Sequence, residues 1–276
     1  MARVLSRMRS GSARLTVIAA SFHGMGTVYA IANQKGGVGK TTTAVNVGAC
    51  IAEAGYGTLL VDVDPQSNAT VGLGIPRSRT PGLYEVLTGE ATASQALTDT
   101  SVRGLQVLPA GAGLAGANVE LPRMEGFEQR LRECLAPVRD RFEYILLDCP
   151  PSLGPLTVSA LVAADKVIVP VQTEYFALEG LAGLLDTLAL VQRELNPRLT
   201  VAGMLLTMHD SRTRLGQDVE REVREHFSDL VFSTVIPRNV RVGEAPSHGL
   251  PVTHHDPHSA GAAAYFELAK EVAARG

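Results

Sequence analysis

The residues best suited to chemistry fall in one run, Lys35-Gly36-Gly37-Val38-Gly39-Lys40-Thr41-Thr42. Three glycines leave backbone N–H groups free to curl around an anion, and the hydroxyls follow where a helix can open. Between an apolar strand and a helix, such a run is a phosphate cradle. Lys40 then neutralises the outer phosphates of a nucleotide, Thr41 places its hydroxyl on Mg²⁺, and Thr42 reaches the innermost phosphate. Only four lysines occur, Lys35, Lys40, Lys166 and Lys270, and arginine supplies the rest of the 25 basic side chains. Two of the four in one loop indicate that a compact ammonium is needed there. Gln34 stands where the common phosphate loop has its first glycine, and Lys35 adds a second cation near the terminal phosphate.

Two apolar runs end in carboxylates. Residues 58–62 lead into Asp62-Val63-Asp64-Pro65-Gln66, and residues 144–148 into Asp148-Cys149-Pro150-Pro151-Ser152. In an open parallel sheet the carboxyl ends of the strands gather beside the ligand. A carboxylate there holds Mg²⁺, directly or through water, or orients an attacking water.

These residues need a frame, and the hydrophobic pattern supplies one. Strand-like runs cover 28–33, 58–62, 105–109, 144–148, 166–171, 201–207 and 231–236. Helical patterns cover 41–54, 126–135, 156–163, 178–194, 214–227 and 260–274. Strands apolar on both faces and separated by helices predict a doubly wound α/β fold, a mostly parallel sheet with helices on both sides. With 276 residues, 45% hydrophobic and 19% charged, the chain can bury a large core. Residues 25–276 read as one domain. Residues 1–24, carrying Arg3, Arg7, Arg9 and Arg14, read as an extension that is disordered or not translated. A net charge of −3 gives no global attraction to polyanions, so any such surface is a local patch. Three cysteines, Cys50, Cys134 and Cys149, without a paired spacing fit a reducing cytoplasm. His248, His254, His255 and His258 are interrupted by prolines and lack ligand spacing.

The run KGGVGKTTT resembles the deviant Walker A box of the ParA/MinD group of P-loop ATPases. That resemblance implies ATP and Mg²⁺ as cofactors and a homodimer that sandwiches ATP, with Lys35 reaching the partner's phosphates. It implies further that Asp148 holds Mg²⁺ through water, that Asp64 positions the lytic water, and that Asp62 supports it.

The segments Leu206-Thr207-Met208-His209-Asp210-Ser211-Arg212-Thr213 and Val235-Ile236-Pro237-Arg238-Asn239-Val240-Arg241, the latter followed by Glu244-Ala245-Pro246-Ser247, resemble blocks of chromosomal ParA (Soj) proteins. By that likeness Pro237 and Asn239 lie against the base and ribose. Arg212 and Arg241 match positions that bind double-stranded DNA non-specifically, and Arg214 and Arg238 widen the patch. The implied function is a slow chromosome- or plasmid-partitioning ATPase, cytoplasmic and nucleoid-associated when ATP-bound, released by a ParB-like centromere-binding partner. The alternative, a MinD-like membrane-associated regulator, calls for a strongly amphipathic C-terminal helix. Residues 269–276 are Ala-rich and weakly amphipathic, which implies no membrane contact.

Overall fold

The computed structural model describes residues 26–174 and 177–275, with nothing drawn from the side chains of 177–180. The expected extension, residues 1–24, lies outside them. Eight strands form one sheet: β1 Thr27–Ile31, β2 Thr58–Asp62, β3 Thr98–Asp99, β4 Leu105–Leu108, β5 Tyr144–Asp148, β6 Lys166–Gln172, β7 Thr200–His209 and β8 Val231–Pro237. Their order is β3-β4-β2-β5-β1-β6-β7-β8. Every pairing is parallel except β3 with β4, a two-residue antiparallel edge. The chain winds from β1 toward one edge, returns at β5, and then runs to the other edge. The turn after β1 therefore stands where the winding reverses, the place where open α/β sheets bind ligands.

The helices are α1 Lys40–Glu53, α2 Asn68–Gly72, α3 Leu83–Thr88, α4 Ala93–Ala96, α5 Leu114–Glu120, α6 Phe127–Arg139, α7 Pro155–Ala163, α8 Ala177–Glu194, α9 Arg214–Phe227, α10 Val240–Glu244, α11 Val252–His255 and α12 Ala260–Ala274. The central strands are buried on both faces, so each contributes alternate side chains to two cores. Tyr29, Ile31, Leu60 and Leu146 pack with Val47 and Cys50 of α1 and Tyr265, Leu268 and Val272 of α12. Val28, Ala30, Leu59, Val61, Ile145 and Leu147 pack with Leu131 and Leu135 of α6, Leu161 of α7 and Leu184 of α8.

The doubly wound reading of the sequence holds, and the differences are local. Helix α6 runs four residues beyond its expected end, with Pro137 inside its last turn, where the missing N–H forfeits one bond of the ladder just before the helix stops. Strand β7 continues to His209. Helices α2 to α5 and strand β3 have no counterpart in the periodicity reading. At two to seven residues they are held by tertiary packing rather than by a legible repeat.

Candidate functional site: a phosphate cradle facing an arginine surface

Helix α1 opens at Lys40, and its N-cap is Gly39 at φ +89°, a left-handed conformation that glycine adopts without a Cβ penalty. The loop is braced from two strands, β6 and β7. Asn33 accepts from the Lys35 N–H (3.0 Å) and donates to the Pro170 carbonyl of β6 (2.6 Å). The buried Thr207 hydroxyl of β7 donates to the Val38 carbonyl at 2.8 Å. On α1 itself, Asn46 donates to the Thr42 carbonyl and accepts from the Val252 N–H of α11, fixing the helix beneath the loop.

Lys40 is buried, and its ammonium donates to the Lys35 carbonyl at 3.0 Å. Burial draws its pKa down, opposed by the nearby Asp148, Cys149 and Asp64. Asp148 is fully buried at the end of β5 and lies in register beside Asp62 at the end of β2. Burial, then repulsion from Asp62, drives its pKa well above the usual carboxylate range, while the Thr41 hydroxyl and Lys40 oppose the shift. Among the described residues neither Asp148 oxygen finds a well-formed hydrogen-bond partner. A buried carboxylate with open acceptor capacity, beside a hydroxyl at a helix start, suits a hydrated divalent cation.

Asp62 has a different task. Its carboxylate accepts from the Asp64 N–H (3.2 Å), the Thr70 N–H (2.8 Å) and the Thr70 hydroxyl (2.6 Å). It thereby fixes the turn that carries Asp64. Burial raises its pKa, with the Thr70 bonds pulling the other way. Asp64 is buried and accepts from the Gln66 N–H at 2.9 Å.

A cavity of about 480 Å³ joins these parts, within the range of small-molecule sites. Gly37, Gly39, Lys40, Thr41, Thr42 and Asp64 form one end, and Ile236, Pro237, Arg238 and Asn239 the other. Residues nearly 200 positions apart in sequence, read as phosphate and base contacts, thus meet in one space. Lys35, Gly36 and Val38 do not line it. Val38 is buried, Gly36 faces Pro151, and the Lys35 ammonium lies 3.6 Å from Glu174. Asp148 lies beneath the cavity rather than in its wall. Sequence reasoning missed Thr207, Met208 and Tyr265, all of which line it. Thr207 and Met208 belong to a block that resembles the Soj proteins, but their residue types carry no signal of nucleotide contact, and nothing marks Tyr265 beyond its core helix.

The four arginines gather at the ends of β7 and β8. The Arg238 N–H donates to the His209 carbonyl at 2.9 Å, so residues 210–214 and 238–241 leave the sheet side by side. Arg212 is largely exposed and forms a two-pronged pair with Asp210 at 2.9 and 2.8 Å. Those bonds hold the Asp210 carboxyl well below its usual range. Arg241 meets Glu244 at 2.9 Å and Asp256 at 3.3 Å. Arg238 lies 3.6 Å from Glu174, the acid that also faces Lys35. Arg214 is exposed.

Known proteins resemble this chain over most of its length. A family model described as an AAA domain matches residues 26–201. The sporulation initiation inhibitor protein Soj of Bacillus subtilis is 54% identical over 253 residues, covering 91% of this chain and all of that protein. The chromosome partitioning protein ParA of Caulobacter vibrioides is 52% identical, covering 90% of this chain and 94% of its own. The chain belongs to the Soj/ParA family of chromosome-partitioning ATPases. A solved structure described as cobyrinic acid a,c-diamide synthase of Mycobacterium smegmatis, with a bound ATP analogue and magnesium, superposes with a TM-score of 0.78 at 40% identity. It covers 89% of this chain and 93% of that one. As a Soj/ParA protein the chain is an ATPase, with ATP and Mg²⁺ as its cofactors.

Proposed function

We propose that this Soj/ParA protein is an ATP-driven DNA-partitioning switch. Carrying the proposal is the continuity of one cavity, which runs from the phosphate loop to Pro237 and Asn239, directly beside the arginine-bearing ends of β7 and β8. ATP lies with its phosphates on residues 36–42 and its base and ribose toward Pro237 and Asn239. Thr41 and, through water, Asp148 would hold Mg²⁺, which when bound neutralises charge on the phosphates. Lys40 holds the outer phosphates, and Asp64, on the turn fixed by Asp62, orients the attacking water.

Two ATP-bound copies form a homodimer in which Lys35 leaves Glu174 and reaches the partner's nucleotide. The dimer doubles the arginines offered, so Arg212, Arg214, Arg238 and Arg241 bind double-stranded DNA without reading sequence. A ParB-like partner stimulates hydrolysis and releases the dimer, with the ATP form on the nucleoid in the cytoplasm. Residues 25–276 act as one ATPase unit.

The MinD-like alternative needs an apolar helix face for a bilayer. In α12, Tyr265, Leu268, Ala269 and Val272 are buried in the core. Among the described residues no helix is long and apolar enough to cross a membrane.

The test is duplex DNA binding with ATP, ADP and no nucleotide, for wild type and Arg241→Ala. ATP should promote tight, salt-sensitive, sequence-independent binding. The substitution should weaken it and lower the slope of log K against log salt by about 0.9 for each phosphate that is no longer neutralised. Equal affinity in all three nucleotide states overturns the proposal.

A further inference from the structure

The end of the cavity at Pro237 and Asn239 continues onto α10, whose Val242 and Gly243 also line it. Helix α10 is seated hard against α12. A Cβ added at Gly261 of α12 would lie 2.3 Å from Val242 Cγ2 and 3.5 Å from Asn239 Cγ, so the two helices meet where a side chain is missing. Asn239 caps α10 by accepting the Arg241 N–H at 2.9 Å, and Arg241 pairs with Glu244 and Asp256. This wall of the cavity is therefore backed by α12 and tied along its length.

Gly243 has no local reason to be glycine. Among the described residues, a Cβ added at Gly37, Gly55, Gly126 or Gly243 would meet no atom within 4 Å beyond its immediate neighbours. The first three have φ of +74°, +96° and +68°, where a side chain is strained whatever the space. Gly243 has no such φ and lies within a helix, where glycine is the poorest choice after proline. Neither the backbone nor the packing of the chain asks for glycine there, and alanine would serve the helix better. What sets the position apart is that it lines the cavity.

We infer that Gly243 sets the room for the base and so selects purine over pyrimidine nucleotides. Its missing side chain leaves the α10 wall bare, and a two-ring base fills width that a one-ring base leaves unused. A side chain at residue 243 projects into that width, because the close contact at Gly261 prevents α10 from backing away. The inference rests on the reading that places the base toward Pro237 and Asn239.

Calorimetry in Mg²⁺ with ATP, CTP and inorganic triphosphate tests it, on wild type, Gly243→Ala, Gly243→Leu and Val240→Leu. Val240 is on the same helix, is 75% exposed and does not line the cavity, so its variant controls for a change in α10 itself. Gly243→Ala should raise the melting temperature by about 2–4 °C and weaken ATP binding by less than about threefold. Gly243→Leu should weaken ATP binding roughly tenfold or more, CTP binding by less than about threefold, and triphosphate binding not at all. Val240→Leu should leave all three affinities unchanged. Undiminished ATP affinity in Gly243→Leu, or a loss shared equally by CTP or triphosphate, overturns the inference. Wild-type ATP binding no tighter than triphosphate binding overturns the placement of the base itself, a failure visible without any variant.

Discussion

The phosphate end and the arginine surface border one cavity, yet they are held by different kinds of contact. At the phosphate end the polar groups are buried and bonded across the fold, as in Asn33 to Pro170, Thr207 to Val38, and Asn46 to Val252. At the arginine surface the pairs lie at the solvent and two of them are near in sequence, Arg212 with Asp210 and Arg241 with Glu244, while Arg238 reaches the more distant Glu174. Buried, long-range bonds fix geometry because an unmade bond there is costly. Exposed local pairs contribute little to stability and are readily exchanged for another anion. The first arrangement suits a site that must be preformed around phosphate, and the second a surface that must engage and let go.

The sharpest way to break this contrast is at Asp62. Asp62→Ala leaves three donors without an acceptor and should cost about 3 kcal/mol in urea unfolding, with ATP hydrolysis falling as the Asp64 turn loosens. A loss under about 1 kcal/mol would mean that the buried end is no better connected than the surface. Asp62→Asn keeps part of the acceptor capacity and carries no charge. Because burial lifts the Asp62 pKa above its unfolded value, the folded chain holds that proton more tightly. The resulting stability is fully present below the unfolded pKa and is lost as pH rises through the folded one. The wild type's margin over Asp62→Asn should therefore shrink on going from acid to neutral pH.

Next in size is Lys40→Met, which removes a charge-assisted donor to phosphate. It should weaken ATP binding by roughly tenfold to a hundredfold in calorimetry, with little change in fold by circular dichroism. A smaller step is Ser67→Gly. Ser67 is buried and left-handed, with a hydroxyl that finds no partner among the described residues, so glycine should stabilise the chain by about 1 kcal/mol. Least of all, Asp210→Asn frees Arg212 and should strengthen DNA binding about twofold to fivefold at low salt, an effect that fades as salt rises. If it instead unfolds the loop, the surface pairs are structural after all.

The same contrast explains what could be read from the sequence. The phosphate loop was legible because curling a backbone round a phosphate restricts which residues are allowed, and Gly37, Gly39 and Lys40 are those residues. The acids at the ends of β2 and β5 were legible because an apolar strand ending in aspartate is a local pattern. Asp62 as the brace of the turn was not, since its bonds to Thr70 follow from how the loop closes. Thr207 and Tyr265 reach the cavity from strands and helices more than 160 residues after the loop, and no spacing announces that. The pairing of Arg212 with Asp210 is adjacent in sequence, but arginine is this chain's ordinary cation, so composition could not single it out. The short helices α2 to α5 lack the length for a periodic signal.

Strand β1 carries a consequence for the making of the protein. Both of its neighbours in the sheet, β5 and β6, come more than a hundred residues later in the chain. At typical rates of synthesis that is a delay on the order of ten seconds. For that interval the strand that launches the phosphate loop has left the ribosome with two unpaired backbone edges and its apolar side chains uncovered. Nucleotide can help complete folding only after residue 172 has emerged, and until then β1 depends on whatever shields a nascent hydrophobic segment.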